Sequence, residues 1–408
     1  MGFLARLFGL EAKMSSRELY DEGKGGRESS SGATVNFSTA LDVSTVLAIC
    51  RVLADGVGQI PFRLYQTDGV SRRVAVDHPL NLLISRQPNR WQSSFEFRET
   101  LMFHLVLTGN AYVYKNRVGL DRKIKALIPL MPGHVGVDRN SDLSLRYTVS
   151  DPNGSTRIFQ QDDIWHLRGP SWNTWMGMEA VKLARNAIGL AMALEESHAK
   201  FHRNGAHTSG LYSVDPKLGK EQYEQLEKWL DKYAIGGSRY QKPMLLDNAA
   251  KYTSTMMTGV DSQHLETRRF QIEEMCREFR VMPIMVGHYD KAATYASSEQ
   301  MFLAHVVHSL APHYQRIEQS ADVNLLTPDE ISQGYYTKFM PNGLMRGAAA
   351  DRATFYTKAL GSGNAKGWMT QNEVRDAEDM NRSTDPKADE LPQPTIKSPQ
   401  QPQEPSDA

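Results

Sequence analysis

Ser93-Ser94-Phe95-Glu96-Phe97-Arg98-Glu99-Thr100-Leu101-Met102-Phe103-His104-Leu105-Val106-Leu107-Thr108-Gly109-Asn110-Ala111-Tyr112-Val113-Tyr114 carries its own start, stop and change of period. Ser93 and Glu96 form a capping box, in which a hydroxyl and a carboxylate satisfy free amides at a helix N-terminus. Phe97, Leu101 and Leu105 recur at helical spacing up to Thr108, and Gly109-Asn110 ends the run. From Ala111 to Tyr114 the pattern is that of a strand. A helix that passes straight into a strand puts both element types in one core, which predicts an α+β fold.

The same mixture extends to both sides. Upstream, Val46, Ile49, Cys50, Leu53 and Val57 predict a helix behind the candidate caps Asp42 and Ser44, stopping before Pro61. Phe62 to Tyr65 then alternates as a strand. Downstream, strands are predicted at Ala126 to Leu130, Val135 to Asp138, Leu145 to Val149, Arg157 to Phe159 and Ile164 to Leu167. A proline-glycine turn at Asp151-Pro152-Asn153-Gly154 joins two of them. Glu179 to His202 predicts one long helix with small residues on several sides, suited to close packing.

Further on, Leu211 to Val214, Met244 to Leu246 and Lys251 to Thr255 read as strands. Gly236-Gly237 is a loop, and Lys220 to Tyr233 is a helix with a solvated charged face. Two helical patterns follow, Ser262 to Phe279 and Ser297 to Leu325, and Pro312 predicts a kink in the second. Asp351 to Leu360 and Thr370 to Met380 complete the helices. Gly, Ser and charged residues dominate from Glu11 to about Ser38, and Pro, Gln and Ser from Asp385, so both ends are expected to be flexible.

Composition narrows the function classes. The chain has 408 residues, enough for two or three packed units, and Lys plus Arg equals Asp plus Glu at 47 each. Zero formal charge argues against a general nucleic-acid glue. The two cysteines, Cys50 and Cys276, sit in apolar helical patterns and are expected to be buried thiols. Val46 to Ile60 is the most apolar internal stretch, yet it holds Arg51 and Asp55 and is shorter than the roughly 20 residues of a spanning helix. Met1 to Leu10 is apolar apart from Arg6, too short for a signal core, and reads as a docking helix or a frayed end.

Catalytic patterns are not legible, and no enzyme activity is expected. His198 and His202 stand four apart, with His207 nearby, but no zincin Glu follows His198; His305, His308 and His313 share a helix without accompanying carboxylates. The first group is expected to face solvent or pack, and His305, His308 and His313 to pack in their helix. Gly23-Lys24-Gly25-Gly26 lacks the spacing and the hydroxyl of a phosphate loop. No metal or cofactor is expected.

Several segments, in order, resemble the portal proteins of long-tailed double-stranded DNA phages. They are Ala48-Ile49-Cys50-Arg51-Val52-Leu53-Ala54-Asp55 through Ile60-Pro61-Phe62, His78-Pro79-Leu80, Gln87-Pro88-Asn89, and Phe95 to Leu101 leading into Gly109-Asn110-Ala111-Tyr112. Phe201-His202-Arg203-Asn204-Gly205-Ala206, Leu265 to Phe270 and Ser298-Glu299-Gln300 follow. The family often has two prolines where Met282-Pro283 stands and an asparagine near Ser297 or Ser298.

The resemblance implies a portal-type ring subunit, usually one of twelve, with a β-rich wing, long stem helices, a small α/β clip and a helical crown. By this analogy 1–34 is a flexible arm, 35–178 the wing, 179–204 the first stem helix and 205–257 the clip. The second stem helix is 258–281, the tunnel loop 282–296, the kinked helix and wing return 297–345, the crown 346–384 and a disordered tail 385–408. His288, Tyr289, Lys291 and Thr294 are the implied DNA-channel residues. The implied role is a passive channel for DNA packaging and ejection in the virion, assembled in the host cytoplasm. The implied partners are the terminase large subunit, the major capsid protein and scaffold, a head-tail adaptor and double-stranded DNA passing without sequence specificity, with no membrane. A head or tail adaptor or scaffold without a channel is the alternative that the same composition permits.

Overall fold

The computed structural model describes residues 27–69, 71–119, 123–150, 155–203, 210–213, 219–231, 251–254, 260–288, 295–341, 349–361, 365–378 and 380–392. The elements fall into two compact units, 1–339 and 340–408. The first opens with strands β1 (Arg27–Glu28) and β2 (Thr34–Val35), helices α1 (Phe37–Asp42) and α2 (Ser44–Gly58), and strands β3 (Phe62–Thr67) and β4 (Arg72–Val74). Helices α3 (Pro79–Ser85) and α4 (Ser94–Thr108) lead into β5 (Asn110–Val118), β6 (Lys123–Leu130), β7 (Val135–Arg139), β8 (Leu145–Ser150), β9 (Thr156–Gln160) and β10 (Ile164–Arg168). Then come α5 (Ala180–Leu183), α6 (Arg185–Arg203), β11 (Gly210–Ser213), α7 (Lys220–Asp231), β12 (Lys251–Ser254) and α8 (Val260–Glu278). The unit closes with α9 (Tyr295–His305), α10 (Ala311–Leu325), α11 (Pro328–Ser332) and β13 (Tyr335–Phe339).

The predicted capping box forms as read: Ser93 Oγ accepts from Glu96 N while Glu96 Oε2 accepts from Ser93 N at 2.7 Å, and Gly109 ends α4 with φ of 71°. α2 packs on α4, burying Val46, Ile49, Cys50, Leu53 and Val57 against Phe97, Leu101 and Leu105. Burial raises the Cys50 thiol to about 12 and, aided by Glu273, the Cys276 thiol to about 11. Both are inert thiols, as their patterns imply.

Among the described residues the sheets are small and antiparallel: β10-β5-β6, β13-β3-β4, β7-β8-β9 and the pairs β1-β2 and β11-β12. The strand β13 returns some 270 residues later to pair with β3, stacking Phe339 on Phe62 at 4.3 Å. Buried Glu318 on α10 receives Phe339 N at 2.8 Å and Lys338 Nζ at 2.9 Å, which fixes that return. Between the β5 and β8 sheets, Tyr112, Val137, Tyr147, Val149 and Ile164 form one cluster.

A polar chain runs through this cluster. Asn110 Oδ1 accepts from Gly177 N at 2.8 Å and lies 3.0 Å from His166 Nε2. Because that oxygen can only accept, His166 carries its hydrogen on Nε2, and Nδ1 receives the Tyr147 hydroxyl at 3.2 Å. Burial and then Arg168 push His166 down to about 3. Below pH 6.5 the unfolded chain protonates this histidine and the fold does not, so stability is lost as pH falls from 6.5 toward 3. His166 alone should contribute a slope of about 1.4 kcal/mol per pH unit in that window, and His104 and His313, held near 4 mainly by burial, act in the same direction. A denaturation midpoint that stays flat between pH 7 and pH 5 would contradict this assignment.

Several expectations need correction. α2 is capped by neither Asp42 nor Ser44; Asn36 caps α1 in its own capping box, and α2 starts behind Val43. The arm 1–34 is ordered from Arg27, because its hairpin lies on α6: Ser30 N and Oγ both reach Asn186 Oδ1 at 3.2 Å. Gly189 makes room there, since a Cβ on it would sit 2.2 Å from Ser29 Oγ. The helix expected at 179–204 is broken at Ala184 (ψ 3°), which seats Val181 and Ala184 against the end of α4.

Pro312 produces no simple kink. Residues Val306–Leu310 form a π turn that leads into α10, with Pro312 in its first turn, where a missing amide is tolerated. The loops at Asp151–Gly154 and Gly236–Gly237, the strand at Met244–Leu246, and Gly23–Gly26 lie outside the described residues.

The second unit contains α12 (Ala349–Ala359) and α13 (Gln371–Ala377). Thr370 and Glu373 form another capping box. The tail is ordered past Asp385, which caps a 3-10 turn at Pro386–Asp389 and buries Ala388. Local capping holds this turn where composition alone predicts disorder. No helix among the described residues is long and apolar enough to cross a membrane.

Candidate functional site

The channel residues implied by the sequence belong to the return from α8 to α9. At the end of α8 the chain turns at Arg280, whose φ of 56° is left-handed and unfavourable for a side chain of this size. The turn persists because three contacts fix it. Val281 N donates to Cys276 O at 2.9 Å, Ser309 Oγ donates to Arg280 O at 2.7 Å, and Arg280 Nη2 donates to His308 O at 3.4 Å. His308 O is the carbonyl that an amide at position 312 would bind in a regular helix, and proline has none to offer. Arg280 therefore takes the bond that Pro312 leaves open.

The π turn rests on α2. Tyr314 Oη donates to Gly56 O at 2.8 Å, and a Cβ at Gly56 would lie 2.7 Å from Leu310 Cδ2. His313 stands beside the clamp and is held neutral, at about 4, by burial, Arg316 and Arg280. His305 is 2% exposed, so these two histidines pack in the helix as expected, whereas His308, also expected to pack, is exposed. Among the described residues no three His, Cys, Asp or Glu side chains gather as metal ligands.

Beyond the clamp, Pro283–Val286 forms a 3-10 turn ended by Gly287 at φ 81°, a left-handed position that glycine takes without strain. His288 N donates back to Pro283 O at 3.0 Å, and its imidazole Nε2 lies 3.6 Å from Glu273 Oε1 on α8. His288 is thus fixed at the root of the loop, half-buried. Tyr289, Lys291 and Thr294 lie outside the described residues. The far side resumes at Tyr295 in α9, so both ends of this loop are carried by elements that meet at Arg280, His308 and Ser309. This arrangement is mechanical: the segments on either side of 289–294 are braced against each other through Arg280, His308 and Ser309.

Sequence reasoning ended a helix at Phe279 and marked Pro312 but missed the brace. Arg280 and Ser309 carry no local signal, because their partners are about thirty residues away. Above the brace, α9 exposes large apolar side chains: Met301, Phe302 and Leu303 are 38%, 53% and 51% exposed, and Val307 in the adjoining π turn is 48% exposed. Large apolar side chains grouped on an exposed surface mark a face that is normally covered.

The family described as Phage portal protein matches residues 44–379. The portal protein of Enterobacteria phage HK97 is 28% identical over 353 residues, which cover 85% of this chain and 81% of that protein. Among solved structures, an HK97 family phage portal protein from Corynebacterium diphtheriae is similar with a TM-score of 0.58 and 15% identity, covering 77% of this chain and 98% of its own. A chain in the neck of a native gene transfer agent particle computed with C12 symmetry is similar with a TM-score of 0.56 and 18% identity, covering 93% of this chain and 98% of its own.

Proposed function

The chain belongs to the phage portal protein family, and on that premise we propose that it forms the ring at one vertex of a phage capsid through which DNA is packaged and ejected. The observation that carries this reading is the family match across residues 44–379. Twelve copies, the symmetry of the gene transfer agent neck that it resembles, is the expected number. The strand-rich segment 35–178 serves as the wing, 179–204 and 258–281 as stem helices, and 346–384 as the crown. The segment 205–257 is the clip, where the terminase large subunit docks first and a head-tail adaptor later; the major capsid protein and scaffold surround the ring. The exposed apolar sides of α9 support burial against neighbouring copies.

The braced loop 282–296 lines the channel, with His288, Tyr289, Lys291 and Thr294 toward the DNA. Ring symmetry multiplies each such residue, so Lys291 supplies about twelve positive charges at one level. That suffices to guide a polymer bearing one charge per about 1.7 Å, while the neutral chain as a whole avoids gripping it. The ring has no catalysis of its own, and ATP hydrolysis belongs to the docked motor.

Electron microscopy of the purified protein tests the reading: rings with an axial hole are expected, and monomers or closed particles would refute it. For the loop, Lys291→Ala should leave ring assembly intact, because an exposed loop charge contributes little to stability, and should change packaging or retention of DNA. Rings that package and retain DNA normally with this substitution would remove Lys291 from the channel.

A further inference from the structure

The segment from Gly169 to Met178 carries Trp172, which is 90% exposed on a loop that is otherwise firmly fixed. Gly169 N donates to Gly109 O at 2.7 Å and Met178 N to Pro170 O at 2.7 Å, closing the loop at its base. Within it, Asn173 Oδ1 accepts from Met176 N at 2.8 Å and Trp175 N at 3.3 Å, and Arg168 Nη1 donates to Thr174 O at 3.3 Å. Trp175 and Met176 pack into the wing core. Thr174 is held at φ 71°, a conformation that β-branched residues avoid and that persists only where the surroundings impose it. A rigid loop that points its largest apolar side chain into solvent has already met the ordering cost of binding. Tryptophan is the residue most enriched among interface anchors.

A matching recess exists elsewhere on the chain. An open groove of about 770 Å³ lies where β3, α3 and the first turn of α4 meet. Its exposed apolar residues are Val76 (71%), Leu82 (57%) and Phe95 (39%). Arg63 and Arg86 line it too, exposed and with no carboxylate partner among the described residues, so each is free to stack on an indole face. The loop packs on Gly109 at the C-terminal end of α4, and the groove opens at its N-terminal end. These ends are about 22 Å apart along a 15-residue helix, so the knob cannot reach its own groove.

We infer that Trp172 of one copy inserts into the Val76–Leu82–Phe95 groove of the next copy, making a head-to-tail contact. A projection and a recess on different surfaces of one chain give a heterologous interface, which closes into a ring when the rotation allows. The inference rests on the ring reading above and adds which surfaces meet in the wing.

The test is a chain carrying both Trp172→Cys and Leu82→Cys, treated with a homobifunctional maleimide and run on a denaturing gel. Background is low because Cys50 and Cys276 are 0% and 1% exposed. A ladder climbing beyond the dimer is expected from the double variant, and a monomer band from each single variant. Rings visible by electron microscopy with only a monomer band overturn this contact and leave the ring reading standing. A ladder that stops at the dimer means a two-fold contact and overturns it as well. Neither rings nor ladder overturns both. In parallel, Trp172→Ala, which keeps the fold because the side chain is exposed, should raise the concentration at which half the protein is in rings about tenfold or more; an unchanged value overturns the contact.

Discussion

Gly177→Ala is expected to prevent the cluster around Tyr112 and Tyr147 from packing, at a loss of about 4 kcal/mol or more, while Gly133→Ala changes almost nothing. A Cβ at position 177 would lie 1.9 Å from Gly109 O and 2.9 Å from Gly169 N. Both are backbone atoms, and neither can swing aside as a side chain would. Gly109 is fixed as the left-handed end of α4, and Gly169 is fixed by its hydrogen bond to Gly109 O. The same crossing anchors Asn110, whose Nδ2 donates to Thr108 O at 2.9 Å and Gly177 O at 3.2 Å. Separating the two backbones by the extra angstrom or more that a methyl needs would break these bonds and open the cluster at Tyr112 and Tyr147. Gly133 has nothing within 4 Å of its Cβ direction and serves as the control. Denaturation midpoints of the two variants decide the matter; a Gly177→Ala protein as stable as the control would show that the crossing is not constrained.

Arg98→Met should cost about 1–3 kcal/mol, the range for a buried acceptor left without its donor, because Gly58 O loses the guanidinium while Ile84 O keeps the Ser94 hydroxyl. Arg98 is 7% exposed, and no carboxylate stands beside it among its bonded partners. Its Nη2 donates to Gly58 O at 2.7 Å and its Nη1 to Ile84 O at 3.3 Å and to Ser94 Oγ. Gly58 closes α2 and Ile84 lies in the last turn of α3, so the cation sits at the negative ends of two helix dipoles. That explains how a buried charge persists with its pKa lowered only to about 10. Arg98→Lys should recover about half of the loss, since one ammonium cannot span the fork. Equal midpoints for wild type and Arg98→Met would refute the assignment. Lys115 repeats the device at the end of α10, donating Nζ to Asn324 O at 3.0 Å.

Arg98 also shows what a sequence hides. Its position in the quoted helix reads as one more charge near a capped N-terminus, yet the residue is buried and bridges two other helices. The carbonyls that it binds are 40 and 14 positions away, and no local pattern reports them. The turn after α8 behaves the same way. The end of that helix near Phe279 and a disturbance near Pro312 are legible, whereas the Arg280 brace depends on a carbonyl 28 residues downstream. Trp172 reads as an unremarkable aromatic until its loop is seen to be fixed and its indole free.

The stretch from Ser93 to Tyr114 determined by itself where α4 starts, where it stops and that a strand follows, because caps, helical period and glycine stops act over three or four residues. The same local forces fixed the six strands from β5 to β10 and the burial of both cysteines. Only the tertiary structure decided that β13 pairs with β3, that the arm lies on Gly189, that α5 and α6 part at Ala184, and that Gly109 and Gly177 must stay bare. Each of these is a contact between backbones or side chains far apart in the chain, and its energy exists only once the core has brought them within a few angstroms.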